Sequence, residues 1–372
     1  MTAFVESCVN AAAGSAVAAE RRSRHRPRAR QLLRALTGKK NVLITTHLHP
    51  DPDAIASCLA LCTLLSTKLP GAKFNVSVTG KIGGGLNAIF FQQADPRFIP
   101  WDTLNFDHFD AVLLLDTQPP FANNPLPASV QPLAVIDHHR SRGRPPKCAF
   151  CDTRSDVGAT SSIIFSYFME LEIDISPDMA ATLLFAIESD LAGAAGQPGE
   201  LDNVALSSLT LLADTRKLYK MRYVDLPQSY YIAYAHGLNN ALYYDFALMS
   251  HIDEIDTPEK PAIIADFLLR FDKAQWALVT AINGRSMVLS LRTNSTKLSA
   301  ADIMKRLVRN LGEGGGHRTK AGGWIPLDNG TPTEIERVRE LLRRRYLRAL
   351  GIKAARGQRL VPKASLSMDR PK

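Results

Sequence analysis

Asn41-Val42-Leu43-Ile44-Thr45-Thr46-His47-Leu48-His49-Pro50-Asp51-Pro52-Asp53-Ala54-Ile55-Ala56-Ser57 runs from a strand-like apolar stretch straight into an imidazole and two carboxylates. Beyond Asp53 the apolar spacing turns helical through Ala54, Ile55, Leu59, Leu61, Leu64 and Leu65. That pattern places Asp53 to cap the helix and Asp51 in the turn before it. Asp and Pro are ordinary turn residues, so one such turn decides little by itself. Its recurrence downstream decides more.

Asp110-Ala111-Val112-Leu113-Leu114-Leu115 is a continuous apolar run closed by Asp116, and Pro132-Leu133-Ala134-Val135-Ile136 ends in Asp137-His138-His139. Short apolar runs of this kind suit strands buried on both faces of a parallel sheet. Phe74–Val78 alternates like a further strand, after Pro70-Gly71 ends the first helix. Helical spacing covers about 158–171 and 177–190, the second ending in Glu188-Ser189-Asp190. Strands alternating with helices imply an α/β fold with a doubly wound, mostly parallel sheet, whose ligand crevice lies beyond the carboxyl ends of the strands. Gly83-Gly84-Gly85 lacks the following Lys-Ser/Thr of a phosphate loop.

From about 225 to 260 the chain reads as helical and aromatic, with Tyr230, Tyr231, Tyr234, Tyr243 and Tyr244. A second unit follows, with strands at Ala277–Ala281 and Met287–Arg292 and a helix near 299–311. Next come Gly312-Glu313-Gly314-Gly315-Gly316-His317 and Ala321-Gly322-Gly323-Trp324. A glycine run lets backbone N–H groups approach an anion, and an adjacent histidine adds a donor. An Arg-rich amphipathic helix runs from about 333 to Leu350. The organisation expected is a disordered basic leader over 1–38, a catalytic domain over 39–225 and a helical connector over 226–260. A smaller α/β substrate-binding domain would follow over 261–350, then a disordered basic tail over 351–372, with the active site in the cleft between the domains.

A chain of 372 residues, 45% apolar and 22% charged, has the make-up of a globular protein of roughly two domains. No apolar run reaches the roughly 20 residues of a membrane span, and the Ala-rich N-terminus, which contains Glu6, lacks a basic segment before its apolar part. Five cysteines (Cys8, Cys58, Cys62, Cys148 and Cys151) do not describe a disulfide framework, so a cytoplasmic setting is expected. Cys148-x-x-Cys151 has no second such pair to complete a zinc site, and Cys58 with Cys62 fits helix packing. The net charge of +9 sits at the ends: residues 1–40 hold nine Arg/Lys against two Glu, and 331–372 hold twelve against four acids. The body between is acidic, with 30 acids against 24 bases. Such a body suits carboxylates converging on cations, while the ends offer either solubilising charge or a track for a polyanion.

The strand-end groups are His47, Asp51, Asp53, Asp116, His138 and Asp190, with His139 beside them. Carboxylates with imidazoles form a hard-to-borderline donor set, suited to manganese, magnesium, cobalt or zinc. Two cations about 3.5–4 Å apart can share four carboxylates, hold a phosphate oxygen and acidify a bridging water. Phosphoester hydrolysis is the reaction class this suggests. A lone strand-end Asp is more often a cap, but an Asp-His-His at one strand end together with the other acids is a rarer conjunction. Asp137 is placed to orient an imidazole. His25, His49, His108, His236 and His251 belong to no constellation.

Over about residues 32–345 the sequence resembles the DHH phosphoesterase family. The resemblance rests on His47-x-x-Pro50-Asp51-x-Asp53-Ala54-Ile55-Ala56-Ser57, Asp116, Asp137-His138-His139 and Asp190. Gly314-Gly315-Gly316-His317 with Ala321-Gly322-Gly323 resembles the DHH-associated substrate-binding domain. By size it is most similar to the bifunctional oligoribonuclease/pAp-phosphatase type within the RecJ-like superfamily. The resemblance implies two divalent metal ions, manganese first among them. His47 and Asp51 would hold one and Asp53 and His138 the other, with Asp116 and Asp190 bridging or completing the pair. His139 would contact the substrate phosphate, and Arg292 with Gly314, Gly315, Gly316 and His317 would grip the substrate. The implied substrates are short oligoribonucleotides, pAp or linear dinucleotides. A RecJ-like single-strand exonuclease and a cyclic-dinucleotide phosphodiesterase are the alternatives. The implied partners are these nucleotides or single-stranded nucleic acid, with no membrane, and a homodimer left open. Two positions depart from the family pattern: Asp190 is followed by Leu191-Ala192-Gly193 instead of Thr and Gly, and position 52 is Pro instead of Gly. Neither removes a ligand. The glycine-rich C-terminal motif separates the chain from the family's inorganic pyrophosphatase branch.

Overall fold

The computed structural model describes residues 28–80, 87–94, 98–140, 147–191, 198–316, 318–354 and 356–362. They fall into two compact units, one running to Val224 and one starting at Asp225. Residues 1–27 of the expected leader, the Gly83–Gly85 run and His317 lie outside the described residues.

In the first unit β1 (Asn41–Thr45), β2 (Lys73–Val76), β3 (Ala111–Leu115), β4 (Ala134–Asp137) and β5 (Phe150–Thr153) form one sheet in the order β2-β1-β3-β4-β5. Every pair is parallel. All residues of β3 and β4 are buried, as strands covered on both faces must be. The helices are α1 (Arg28–Ala35), α2 (Pro52–Lys68), α3 (Ala88–Ala94), α4 (Thr160–Glu170), α5 (Pro177–Leu191), α6 (Glu200–Leu212) and α7 (Thr215–Arg222). Nine consecutive residues of α4, Thr160 to Phe168, are buried, so this helix has no solvent face over its first two turns. From β1 the chain steps outward to β2, then returns to β3 on the other side of β1. The carboxyl ends of β1 and β3 therefore flank the switch point of the sheet, where loops diverge and leave a crevice.

Arg28 to Leu36 reads as a short helix leading to the first strand, and α1 fills it, with Ala29 and Leu32 in the core although the segment falls within the leader expected over 1–38. One difference from the sequence reading concerns this unit. Strand β5 was not anticipated, because Phe150-Cys151-Asp152-Thr153 is short and half polar. It survives as an edge strand because Asp152, 1% exposed, accepts from Arg154 at 2.8 and 3.0 Å and from the Tyr167 hydroxyl at 2.7 Å.

The second unit contains α8 (Gln228–Asn239), β6 (Leu242–Tyr244), β7 (Ala247–Glu254), α9 (Lys260–Leu268), β8 (Trp276–Asn283) and β9 (Ser286–Thr293). It continues with α10 (Ala300–Val308), β10 (Glu313–Gly316), β11 (Lys320–Pro326), α11 (Pro332–Leu350) and β12 (Gln358–Arg359). The mixed sheet runs β10-β11-β9-β8-β7-β6-β12, with only β7 and β8 parallel. The segment read as a helical connector is helical only through α8; Leu242–Glu254 instead turns through Asp245, at φ 51°, into a hairpin of this sheet. The residues read as a glycine loop form strand β10. Glycine is needed there because a Cβ on Gly314 would sit 2.8 Å from Met304 of α10. Within the expected tail, Gln358–Arg359 pairs with Leu242–Tyr243. Among the described residues no helix is long and apolar enough to cross a membrane.

Candidate metal centre

The chemical groups of the first unit enter from the carboxyl ends of β1, β3 and β4, from the amino end of α2 and from the carboxyl end of α5. β1 delivers His47, whose Nδ1 lies 3.0 Å from the Leu48 carbonyl. The following turn is fixed by Leu48 N–H on Asn123 O and His49 N–H on Thr79 O. His49 has φ 57°, and Gly80 passes so close that a Cβ there would lie 2.8 Å from the His49 nitrogen. Asp51, not Asp53, is the cap of α2: its backbone is extended and its Oδ1 accepts from Ala54 N at 3.0 Å. Pro52 takes the first helical position, which suits its fixed φ and missing N–H. Asp53 sits within the first turn, 1% exposed, and its two oxygens accept the N–H groups of Thr160 (2.7 Å) and Ser161 (2.9 Å). A carboxylate there is favoured by the amino terminus of α4.

Asp116 follows β3 in the left-handed region at φ 56°, tied by its N–H to Ile136 O. Its Oδ1 accepts from the Thr160 hydroxyl at 2.8 Å and lies 3.4 Å from His138 Nε2; its Oδ2 lies 3.4 Å from His47 Nε2. His138 Nε2 is also 3.4 Å from Asp190 Oδ2 at the end of α5, and His47 Nε2 is 4.0 Å from Asp51 Oδ1. His139 Nδ1 donates to Asp137 Oδ1 at 2.7 Å, and Gln118 Nε2 donates to Asp137 Oδ2 at 2.7 Å and to the His139 carbonyl at 3.0 Å. Three sets of donors each gather within 4.8 Å: His47, Asp51 and Asp116; Asp53, His138 and Asp190; Asp116, His138 and His139.

The electrostatics show what this cluster is suited to hold. Burial, then the charges of Asp116, Asp190 and Asp51, push the Asp53 carboxyl well above the usual range, against the Ser161 hydrogen bond. Burial disfavours the imidazolium of His47, yet its hydrogen bond to Asp116 and the Asp116 and Asp51 charges raise it to about 10. His138 and His139 are likewise raised, burial being outweighed by Asp116 for one and by the Asp137 hydrogen bond for the other. Burial would raise Asp116, but the His47 hydrogen bond and the three imidazoles hold it below the usual carboxylate range. Crowded carboxylates thus draw protons onto their neighbours for want of positive charge. A hard-to-borderline divalent cation supplies that charge, and the oxygen and imidazole donors fit one.

The structure brings together all of His47, Asp51, Asp53, Asp116, Asp137, His138, His139 and Asp190. Arg292, Gly314, Gly315 and Gly316 belong to the second unit, where Arg292 is held by Asp266 at 2.8 Å and Ser290 at 2.9 Å. Sequence reasoning missed Thr160, Ser161 and Gln118. The polar run Thr160-Ser161-Ser162 opening an apolar helix was the available signal, since hydroxyls there need a purpose. His251, left out of any constellation, is buried against Thr280.

Residues 41–187 match the DHH family, N-terminal domain. An uncharacterized protein of Methanocaldococcus jannaschii is 28% identical over 322 residues, 85% of this chain and 65% of that protein. A probable manganese-dependent inorganic pyrophosphatase of Listeria welshimeri is 28% identical over 175 residues, 46% of this chain and 55% of its own. The chain thus spans between 55% and 65% of the length of these relatives. The crystal structure of an exopolyphosphatase-related protein from Bacteroides fragilis shares the fold, with a TM-score of 0.68 at 18% identity, covering 87% of this chain and 97% of that one.

Proposed function

We propose, from the match of residues 41–187 to the DHH family, N-terminal domain, and from the donor cluster, that this protein is a divalent-metal phosphoesterase that hydrolyses short oligoribonucleotides, with pAp or linear dinucleotides as further substrates. The observation that carries the reading is the place of Asp116 between two imidazoles, 3.4 Å from His47 and 3.4 Å from His138, where His47 gathers with Asp51 and His138 gathers with Asp53 and Asp190. His47, Asp51 and Asp116 would hold one cation; Asp53, His138 and Asp190, with Asp116 shared, would hold the other. The printed name of the Listeria relative supports manganese. When bound, such a pair supplies positive charge to phosphoryl oxygens and lowers the pKa of a water.

The chain's own groups do the rest. Asp137, fully buried, fixes the ring of His139 through Nδ1, which turns Nε2 toward an incoming phosphate. The Asp137 hydrogen bond favours the protonated ring of His139, the form that donates there. Thr160 orients Asp116, and the first N–H groups of α4 orient Asp53, so both carboxylates keep their lone pairs directed. The first unit is the catalytic domain in this reading, and the second binds the rest of the substrate through Arg292 and the Gly314–Gly316 strand, with His317 following it.

Hydrolysis of a labelled RNA dinucleotide, a longer RNA, pAp and inorganic pyrophosphate, each with manganese and with chelator, tests the reading. Metal-dependent turnover of the dinucleotide or pAp, abolished by Asp116→Ala, is expected. Preference for the long strand would move the protein to the exonuclease alternative, and turnover of pyrophosphate alone would remove the nucleotide substrate. Intact manganese-dependent hydrolysis in Asp116→Ala would sink the metal centre itself.

A further inference from the structure

Trp324 on β11 is 45% exposed, while its strand neighbours Ala321 and Ile325 are buried in the core. Residues two apart along a strand share a face, so Lys320, Gly322 and Trp324 point the same way. Directly opposite residues of an antiparallel pair share a face too. Gly322 stands opposite Gly315 of β10, and Lys320 opposite Arg292 of β9. The other face of the same strands is closed, since Gly323 has Met304 and Val308 of α10 against it. The Trp324 face is open at its centre: a Cβ on Gly315 would meet nothing within 4 Å, and one on Gly322 only the Leu289 carbonyl at 3.8 Å.

This face therefore has a glycine floor at Gly315 and Gly322 with the small side chain of Ser290 beside it, an indole at one end and two cations at the other. Trp324 and Lys320 are about 13 Å apart along the strand, at about 3.3 Å per residue, and both cations are long enough to reach inward. Asp266 and Ser290 hold Arg292 in a set orientation. Glu313 stands opposite Trp324, at the end away from the cations. A polyphosphate alone gives no role to an exposed indole. A nucleotide does, because its base can stack on the ring while its phosphate meets the guanidinium and ammonium.

We propose that Trp324 is the base-stacking residue of a nucleotide subsite, with Gly315 and Gly322 as its floor and Lys320 and Arg292 at its phosphate end. The proposal deepens the oligoribonucleotide reading and rests on it. Its test uses the full chain with manganese, an RNA dinucleotide as substrate, and the variants Trp324→Ala and Trp324→Phe. Loss of one stacked base predicts a KM raised about 5- to 100-fold in Trp324→Ala with kcat little changed. Trp324→Phe, which keeps a ring face, is expected to restore most of the loss. An unchanged KM in Trp324→Ala overturns the subsite and leaves the phosphoesterase intact. Should the wild type turn over no nucleotide, the oligoribonucleotide reading fails. Titration with 5′-AMP then decides the subsite separately: quenching of tryptophan fluorescence that disappears in Trp324→Ala supports it, and no quenching in the wild type overturns it.

Discussion

His139 Nδ1 lies 2.7 Å from Oδ1 of Asp137, a carboxylate with no solvent exposure whose other oxygen accepts from Gln118. Among the described residues Asp137 joins no donor set with the other carboxylates, so its effect passes through the ring it holds. Asp137→Asn keeps the shape but weakens the acceptor and allows the amide to turn its NH2 toward the ring. The expected result is a hydrolysis rate about 10- to 100-fold lower, with manganese content by elemental analysis near that of the wild type. Loss of bound metal in this variant would instead put Asp137 among the ligands.

The carboxylate crowding around Asp53 and Asp116 predicts a metal-linked stability that needs no substrate. A cation at 100 times its Kd adds about 2.7 kcal/mol to the folded state. For a unit of this size that is a Tm rise of about 5–10 °C on adding manganese to chelator-treated protein. Asp116→Asn removes a donor from two sets at once and is expected to lose most of the rise. Calorimetry with and without manganese reads this directly; an equal rise in the variant would show that the cation binds elsewhere.

How far the centre could be read from the chain follows the range of each interaction. His47, Asp116 and Asp137 to His139 each follow an apolar run that only a buried strand explains, so their convergence follows from the sheet. The apolar spacing points to Asp53 as the cap of α2 because it starts after that residue, whereas Pro52 starts the helix two residues earlier. Thr160 and Ser161 reach Asp53 across more than a hundred residues, and no local pattern reports such a contact. In the second unit β7 pairs with its neighbour β6 only over Ala247–Met249 and draws its full-length pairing from β8, beyond α9, so local spacing left it helical. The glycines of β10 suggest a loop by composition; Met304, packed against them, makes a strand of them.

Cys151 lies in edge strand β5, half-buried, with the thiol of Cys148 hydrogen-bonded to it. That hydrogen bond first, against burial, and then the Thr153 hydroxyl and the Arg28 charge bring the Cys151 pKa down to about 7. A lowered pKa means more thiolate, so alkylation is expected at Cys151 before Cys148, half-maximal near pH 7. Cys148→Ala removes the donor and should move the midpoint of the iodoacetamide rate upward, toward the ordinary thiol value near 8.5. An unmoved midpoint, followed by mass spectrometry of the labelled peptide, would separate the two thiols.

His251 gives the second unit an acid limit. On β7 it is 4% exposed, with Nδ1 2.8 Å from the Thr280 hydroxyl. Burial, and then the positive charge of Arg339, lower its pKa to about 4, against Asp253. In the unfolded chain the ring titrates near 6.5. Between those values the unfolded chain binds a proton that the folded chain refuses, so stability is full above about pH 6.5 and falls as pH drops toward 4. The gap corresponds to at most about 3 kcal/mol. Replacing the ring by the neutral amide in His251→Gln removes the titration while keeping a hydrogen-bonding group for Thr280. Urea midpoints at pH 7 and pH 4.5 are expected to lie closer together in His251→Gln than in the wild type, even though the variant starts lower at pH 7. Parallel losses in both proteins would assign the acid sensitivity to the carboxylates of the first unit, whose proton uptake has its own pH range and responds to manganese where that of His251 does not.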